Sequence, residues 1–325
     1  MDSLNVPVDV PPQPWSGRFD GDGASHRRWW QAVLPYDGGT GVAGAAGTAA
    51  GNGCGRPAAL LGFASDEGVR RNKGRIGAAG APGAIRSALG PLAFHADRAV
   101  ADAGDVVVAG GDLEAGQERA GRAVAALLDA GWLTAMLGGG HETAYASYLG
   151  VTASAAAQGR RLGILNLDAH FDLRDEPVPS SGTPFLQMAR AEAAAGRDFR
   201  YAVVGISEPN NTRALFDTAH ALGVRYLQDE ECEPERVRTF VADFLAGVDL
   251  LYLTIDLDVL PAAVAPGVSA PAAYGVPLPV IAALCRQVAE SGKLLHLDIA
   301  ELNPAFDVDG RTARVAARLL DTLLR

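Results

Sequence analysis

From residue 58 onward the chain falls into short apolar runs closed by Gly, Asp or Pro, at 58–63, 106–109, 133–137, 162–167, 201–204, 250–255 and 294–299. Runs that are apolar throughout, rather than alternately apolar and polar, mark strands buried on both faces, as in a parallel sheet. Between them lie stretches with helical spacing, among them 116–130, 142–157, 212–222, 234–245, 277–290 and 311–324. Strand and helix alternate. The pattern predicts an α/β fold, three-layer α/β/α, with a mostly parallel central sheet and right-handed crossovers.

Residues 1–36 are punctuated by Pro and Gly around Trp15, Trp29 and Trp30, which predicts an N-terminal arm packed on the domain. Residues 37–56 collapse to a Gly/Ala-rich stretch with little side chain to bury, read as a loop. Residues 57–325 then form a single domain, as the length of 325 residues allows.

Charge and cysteine content narrow the function. Lys plus Arg number 28 against 38 Asp plus Glu, a balance of -10 that gives no basic stripe for nucleic acid or an anionic membrane, so the expected partner is a small molecule. Cys54, Cys232 and Cys285 are too few and too dispersed for a disulfide framework or a zinc knuckle. The first residues lack a basic segment followed by an apolar one, and no long window is free of polar residues, so a cytoplasmic location is expected.

In a parallel α/β sheet, ligands gather beyond the carboxyl ends of the strands. The run 133–137 ends in Gly138-Gly139-Gly140-His141, the run 162–167 in Asp168-Ala169-His170-Phe171-Asp172, and the run 250–255 in Asp256-Leu257-Asp258. A lone His near a strand end is most often a hydrogen-bonded structural residue, and an Asp-x-Asp pair is often a cap or turn. Three such strand ends in one chain are a different matter. Alternate positions of an extended strand end project to one side, and acids this close to a core would be costly without a cation.

Together these are four Asp and two His with no thiolate, a donor set that suits Mn²⁺ better than structural Zn²⁺ and, with bridging carboxylates, serves two ions. Such a pair lowers the pKa of a bridging water and yields a hydroxide nucleophile near neutral pH. The run 294–299 leads to Glu301, one acid beyond the metal set and free to meet a cationic amidine or guanidine.

These residues, in this order, resemble the arginase and agmatinase family of ureohydrolases, the segment 254–275 most closely. The resemblance implies two Mn²⁺ per subunit, one held by His141, Asp168, Asp172 and Asp256, the other by His170, Asp168, Asp256 and Asp258. It also implies homo-oligomers. Within the family, Trp15-Ser16-Gly17-Arg18, Arg28-Trp29-Trp30-Gln31, Asp66-Glu67-Gly68-Val69-Arg70-Arg71-Asn72-Lys73-Gly74-Arg75 and Ser180-Ser181-Gly182-Thr183-Pro184-Phe185 look like the formimidoylglutamase branch. Arginases carry a His where this chain has Ser181, so a His proton shuttle is not expected.

The implied reaction is cleavage of N-formimidoyl-L-glutamate to L-glutamate and formamide, with Asp172 relaying the proton and Glu301 facing the amidine. Arg174, with Ser181, Lys73, Arg75 and Asn211, forms the candidate substrate-binding set, since a glutamate derivative brings two carboxylates that call for cations. The alternatives are a ureohydrolase acting on agmatine, arginine or a guanidino acid, and a non-catalytic metal-binding protein of the same fold.

Overall fold

The computed structural model describes residues 6–39 and 55–325, so most of the predicted 37–56 loop, with Cys54, lies outside the described residues. Among the described residues, nine strands form one parallel sheet: β1 (Val33–Pro35), β2 (Ala58–Ala64), β3 (Val100–Val107), β4 (Leu133–Leu137), β5 (Leu162–Leu167), β6 (Tyr201–Ile206), β7 (Arg225–Gln228), β8 (Leu250–Asp256) and β9 (Leu294–Ala300). Their order across the sheet is β1-β3-β2-β4-β9-β8-β5-β6-β7.

The helices are α1 (Trp29–Ala32), α2 (Glu67–Arg71), α3 (Ala81–Leu89), α4 (Leu113–Asp129), α5 (Thr143–Ala153), α6 (Pro184–Ala194), α7 (Arg213–Ala221), α8 (Pro234–Ala246), α9 (Leu278–Glu290) and α10 (Arg311–Leu323). Successive strand residues point to opposite faces, and each face has its own core. Leu60, Leu165, Leu253 and Leu297 pack with α3, α8, α9 and α10. Leu61 and Met136 meet α4 and α5, while Ile164, Val203 and Tyr252 meet α6 and α7. The predicted three layers follow from this double burial.

Two short strands, β1 and β7, were not anticipated from the sequence. β7 is an edge strand with one buried residue in four, so it has no apolar run to detect. The strand read at 106–109 instead spans Val100–Val107. Asp102 and Asp105 interrupt its apolar pattern, yet Arg86 reaches both, with Nε 2.8 Å from Asp102 Oδ2 and Nη1 2.6 Å from Asp105 Oδ1. A buried acid inside a strand is tolerated when a guanidinium forks onto it.

Residues 6–39 lie against this body. Val10 forms an antiparallel bridge to Asp105, Trp15 Nε1 donates to Asp102 Oδ2 at 2.8 Å, and fully buried Trp29 donates to Asp321 Oδ1 at 3.0 Å. No helix among the described residues is long and apolar enough to cross a membrane.

Candidate metal centre

The chain leaves β4 for β5 by stepping over the two strands that later fill the gap, so β4, β9, β8 and β5 become neighbours. Adjacent strands lie about 4.8 Å apart, and their carboxyl ends therefore deliver His141, Glu301, the Asp256/Asp258 pair and the Asp168–Asp172 segment to one place. The glycines before His141 are required by close passage. A Cβ on Gly139 would fall 1.7 Å from the Ser65 carbonyl oxygen. The segment is laced to both flanking strand ends, Gly140 N donating to Ser65 O at 3.0 Å and Glu301 N to Gly139 O at 2.8 Å.

The six predicted ligands converge. His141 Nδ1 lies 3.1 Å from Asp168 Oδ2, 2.9 Å from Asp172 Oδ2 and 3.3 Å from Asp256 Oδ2. His170 Nδ1 lies 3.1 Å from Asp258 Oδ2 and 3.5 Å from Asp168 Oδ1. Asp168 thus turns one oxygen to each imidazole, the geometry of a bridging carboxylate. His141, Asp168 and Asp172 form one potential ligand group, and Asp168, His170 and Asp258 a second that shares Asp168.

The donor set fits a cation pair on its own evidence. His141 Nδ1 is buried without a hydrogen-bond partner although three carboxylate oxygens surround it. A lone pair turned toward acids is satisfied by a positive ion between them. The electrostatics agree: burial, followed by the charges of Asp258 and Asp168, pushes the Asp256 carboxyl well above its ordinary value. Burial likewise raises Asp172, and the charge of Asp168 adds to it. For Asp168 burial acts in the same direction, but the contacts of His141 and His170 prevail and hold it below its ordinary value. The arrangement could hold two metal ions with oxygen and imidazole donors.

Neutral groups hold this cluster from behind. Asn166 Nδ2 donates to Asp168 Oδ2 at 2.9 Å. Asn211 accepts from Phe171 N at 3.1 Å and donates to the carbonyls of Ala169 and Ser207, both at 2.9 Å. The Asn211 amide therefore clamps the turn that carries Asp168, His170 and Asp172. Glu301 Oε1 accepts from His141 N at 2.9 Å, and burial, with the charge of Glu142 next, pushes its carboxyl up to about 8.

A cavity of about 340 Å³ opens over the cluster, lined by His141, His170, Asp172, Asp256, Asp258 and Glu301 on its floor. Lys73, Arg75, Arg174, Ser181 and Asn211 line the rest, together with Asn72 and Ser269. The candidate substrate residues differ in what they have left to offer. Arg75 gives Nε to Ser269 O at 3.0 Å and Nη2 to Val268 O, and lies 4.1 Å over the Phe306 ring. Ser181 Oγ accepts from Asn72 Nδ2 at 3.1 Å. Lys73 and Arg174 are exposed, and neither side chain is ion-paired among the described residues.

Three of the four non-glycine residues with left-handed backbone among the described residues border this cavity: Lys73 (φ 61°), Asp172 (φ 48°) and Glu301 (φ 68°). Such conformations cost on the order of 1 kcal/mol or more each and persist where surrounding contacts over-determine them. Their concentration here is invisible in the sequence. Asn166, Thr254 and Asp298, by contrast, do leave a signal in the sequence: polar residues inside apolar runs that are buried on both faces must have partners.

Fold and site together define a metal-dependent hydrolase class. The Arginase family profile matches residues 56–325, and the chain belongs to that family. The formimidoylglutamase of Nocardia farcinica is 58% identical over 315 residues, covering 97% of this chain and 96% of the relative. Among solved structures, Trypanosoma cruzi formiminoglutamase with Mn²⁺ superposes with a TM-score of 0.75 at 24% identity, over 83% of this chain and 92% of the other. Formimidoylglutamase from Bacillus subtilis gives 0.74 at 21% identity, over 84% and 88%. At such identities the structures establish the shared fold.

Proposed function

We propose that this protein hydrolyses N-formimidoyl-L-glutamate to L-glutamate and formamide, with two Mn²⁺ held by His141, Asp168, Asp172, Asp256, Asp258 and His170. The observation that carries the reading is one cavity with the binuclear donor cluster and Glu301 at its floor and two unpaired cations, Lys73 and Arg174, at its wall. The name of the Nocardia farcinica relative, at 58% identity, supports the substrate, and the oxygen-rich donor set supports the metal.

Bound there, two divalent cations supply a water of lowered pKa and offset the charge of four carboxylates. The chain does the rest. Glu301 faces the amidine from the floor, where a substrate cation compensates its buried charge. Arg174 and Lys73 meet the two substrate carboxylates, and Asn72 with Ser181 closes that side. Water adds to the amidine carbon, and the C–N bond to the glutamate nitrogen breaks, leaving formamide. Asp172, whose side chain is 13% exposed while Asp168 is fully covered, takes the proton shed by that water and returns it to the departing amine.

The test is turnover by purified, Mn²⁺-loaded protein on formimidoylglutamate beside arginine and agmatine, with formamide and urea scored separately. Formamide from the glutamate derivative alone is expected. Urea from either guanidine, with no formamide, would replace this reading by that of a guanidine-cleaving relative.

A further inference from the structure

Beneath the ligand cluster lies a buried chain of polar groups that the reaction does not use. Thr254 on β8 and Asp298 on β9 face each other in register, and the Thr254 hydroxyl donates to Asp298 Oδ1 at 2.6 Å. Asp298 Oδ2 accepts from Ser147 Oγ at 2.6 Å and from Tyr252 OH. All four side chains are sealed from solvent, so no water substitutes for any of them.

The same Thr254 oxygen lies 3.0 Å from His141 Nε2. A threonine hydroxyl has one proton, and here it is committed to the carboxylate. The oxygen is left to accept, so Nε2 must carry the hydrogen and Nδ1 must be a bare lone pair. That is the nitrogen facing Asp168, Asp172 and Asp256. Protein partners that fix a ligating imidazole in this way govern metal affinity.

We infer that Thr254, anchored by Asp298, is a positioning residue that selects the His141 tautomer and so presets one of the two metal sites. The inference rests on the dinuclear reading above and deepens it. His170 carries no equivalent support on its outer nitrogen among the described residues, and its side chain is 23% exposed. The two sites therefore differ, with the His141 side built in advance.

The experiment is a Mn²⁺ titration of the metal-stripped full chain, with free ion read by electron paramagnetic resonance. Thr254→Val keeps the shape and removes the hydroxyl; it should weaken one of two ions by about 10- to 100-fold and leave the other unchanged. Thr254→Ser, which restores a hydroxyl, should recover binding to within about threefold. Wild-type affinity for both ions in Thr254→Val overturns the inference, as does a Thr254→Ser protein as weak as Thr254→Val, which would mean packing and not the hydroxyl. If Thr254→Val does not fold, Thr254→Ala carries the same expectation. Wild type that binds no ion pair sinks the dinuclear reading and this inference with it, whereas a normal pair in wild type and Thr254→Val sinks only the inference.

Discussion

The Oε1 atom of Glu301 accepts a hydrogen bond from the backbone N–H of His141 at 2.9 Å. The acid at the end of β9 is thus oriented by the segment that ends β4, one strand away, and its remaining oxygen is left for the cavity.

Glu301→Gln keeps that acceptor and removes the carboxyl that a bound cationic amidine would hold ionised. The expected result is a fall in kcat/KM of about 10²- to 10³-fold on the amidine substrate, typical of losing an electrostatic partner in a covered site. Mn²⁺ content should not change, since Glu301 stands outside both ligand groups. A variant within tenfold of wild type would show that the acid does not meet the amidine.

Arg174 lies at the cavity wall, with its stem against Gly182, where an added Cβ would approach Arg174 Cδ to 2.7 Å. Arg174→Leu should raise KM for formimidoylglutamate by roughly tenfold or more with a smaller change in kcat, the mark of lost substrate binding. Lys73→Gln should act in the same direction. Equal KM in both variants would move the carboxylate contacts elsewhere.

Removing metal should cost stability as well as turnover. Without a cation, Asp168, Asp256 and Asp258 crowd one another in a buried place, as the raised Asp256 carboxyl records. A chelated protein should melt lower and be inactive, and Mn²⁺ at about 100 times its Kd should return about 2.7 kcal/mol for each ion bound, a shift of several degrees. Identical melting with and without Mn²⁺ would contradict a native-state ion pair.

His296 is fully covered, with Nδ1 2.6 Å from Thr134 Oγ1 and no partner at Nε2. Burial pushes its pKa down from 6.5 to about 3. The unfolded chain then binds a proton that the native state refuses, so its contribution is complete above pH 6.5 and is lost progressively as pH falls toward 3. His296→Gln should flatten that limb of the stability profile in urea titrations at pH 7, 6, 5 and 4. Parallel profiles for the two proteins would show that His296 is not held neutral.

The sequence exposed the strands that have apolar residues on both faces, because that pattern depends on burial alone. It hid β7, whose edge position leaves it half polar, and misplaced β3, whose acids are matched by Arg86 from the helix that precedes it. The candidate ligands were legible because three strand ends of one chain each carry acids or His directly after an apolar run, a coincidence that isolated caps and turns do not explain. Asn211 lines the cavity, and its amide is engaged by the carbonyls of Ala169 and Ser207 and the N–H of Phe171. Nothing in a linear sequence says which way an amide turns.

What the chain alone determined was the α/β class and the strand ends that carry the acid and imidazole donors, since each follows from local composition and spacing. The strand order that makes β4, β9, β8 and β5 neighbours, the left-handed turns at Lys73, Asp172 and Glu301, and the buried Thr254–Asp298 support were decided only on folding. They depend on contacts between residues far apart in the chain, and such contacts exist only once the whole sheet has closed around them.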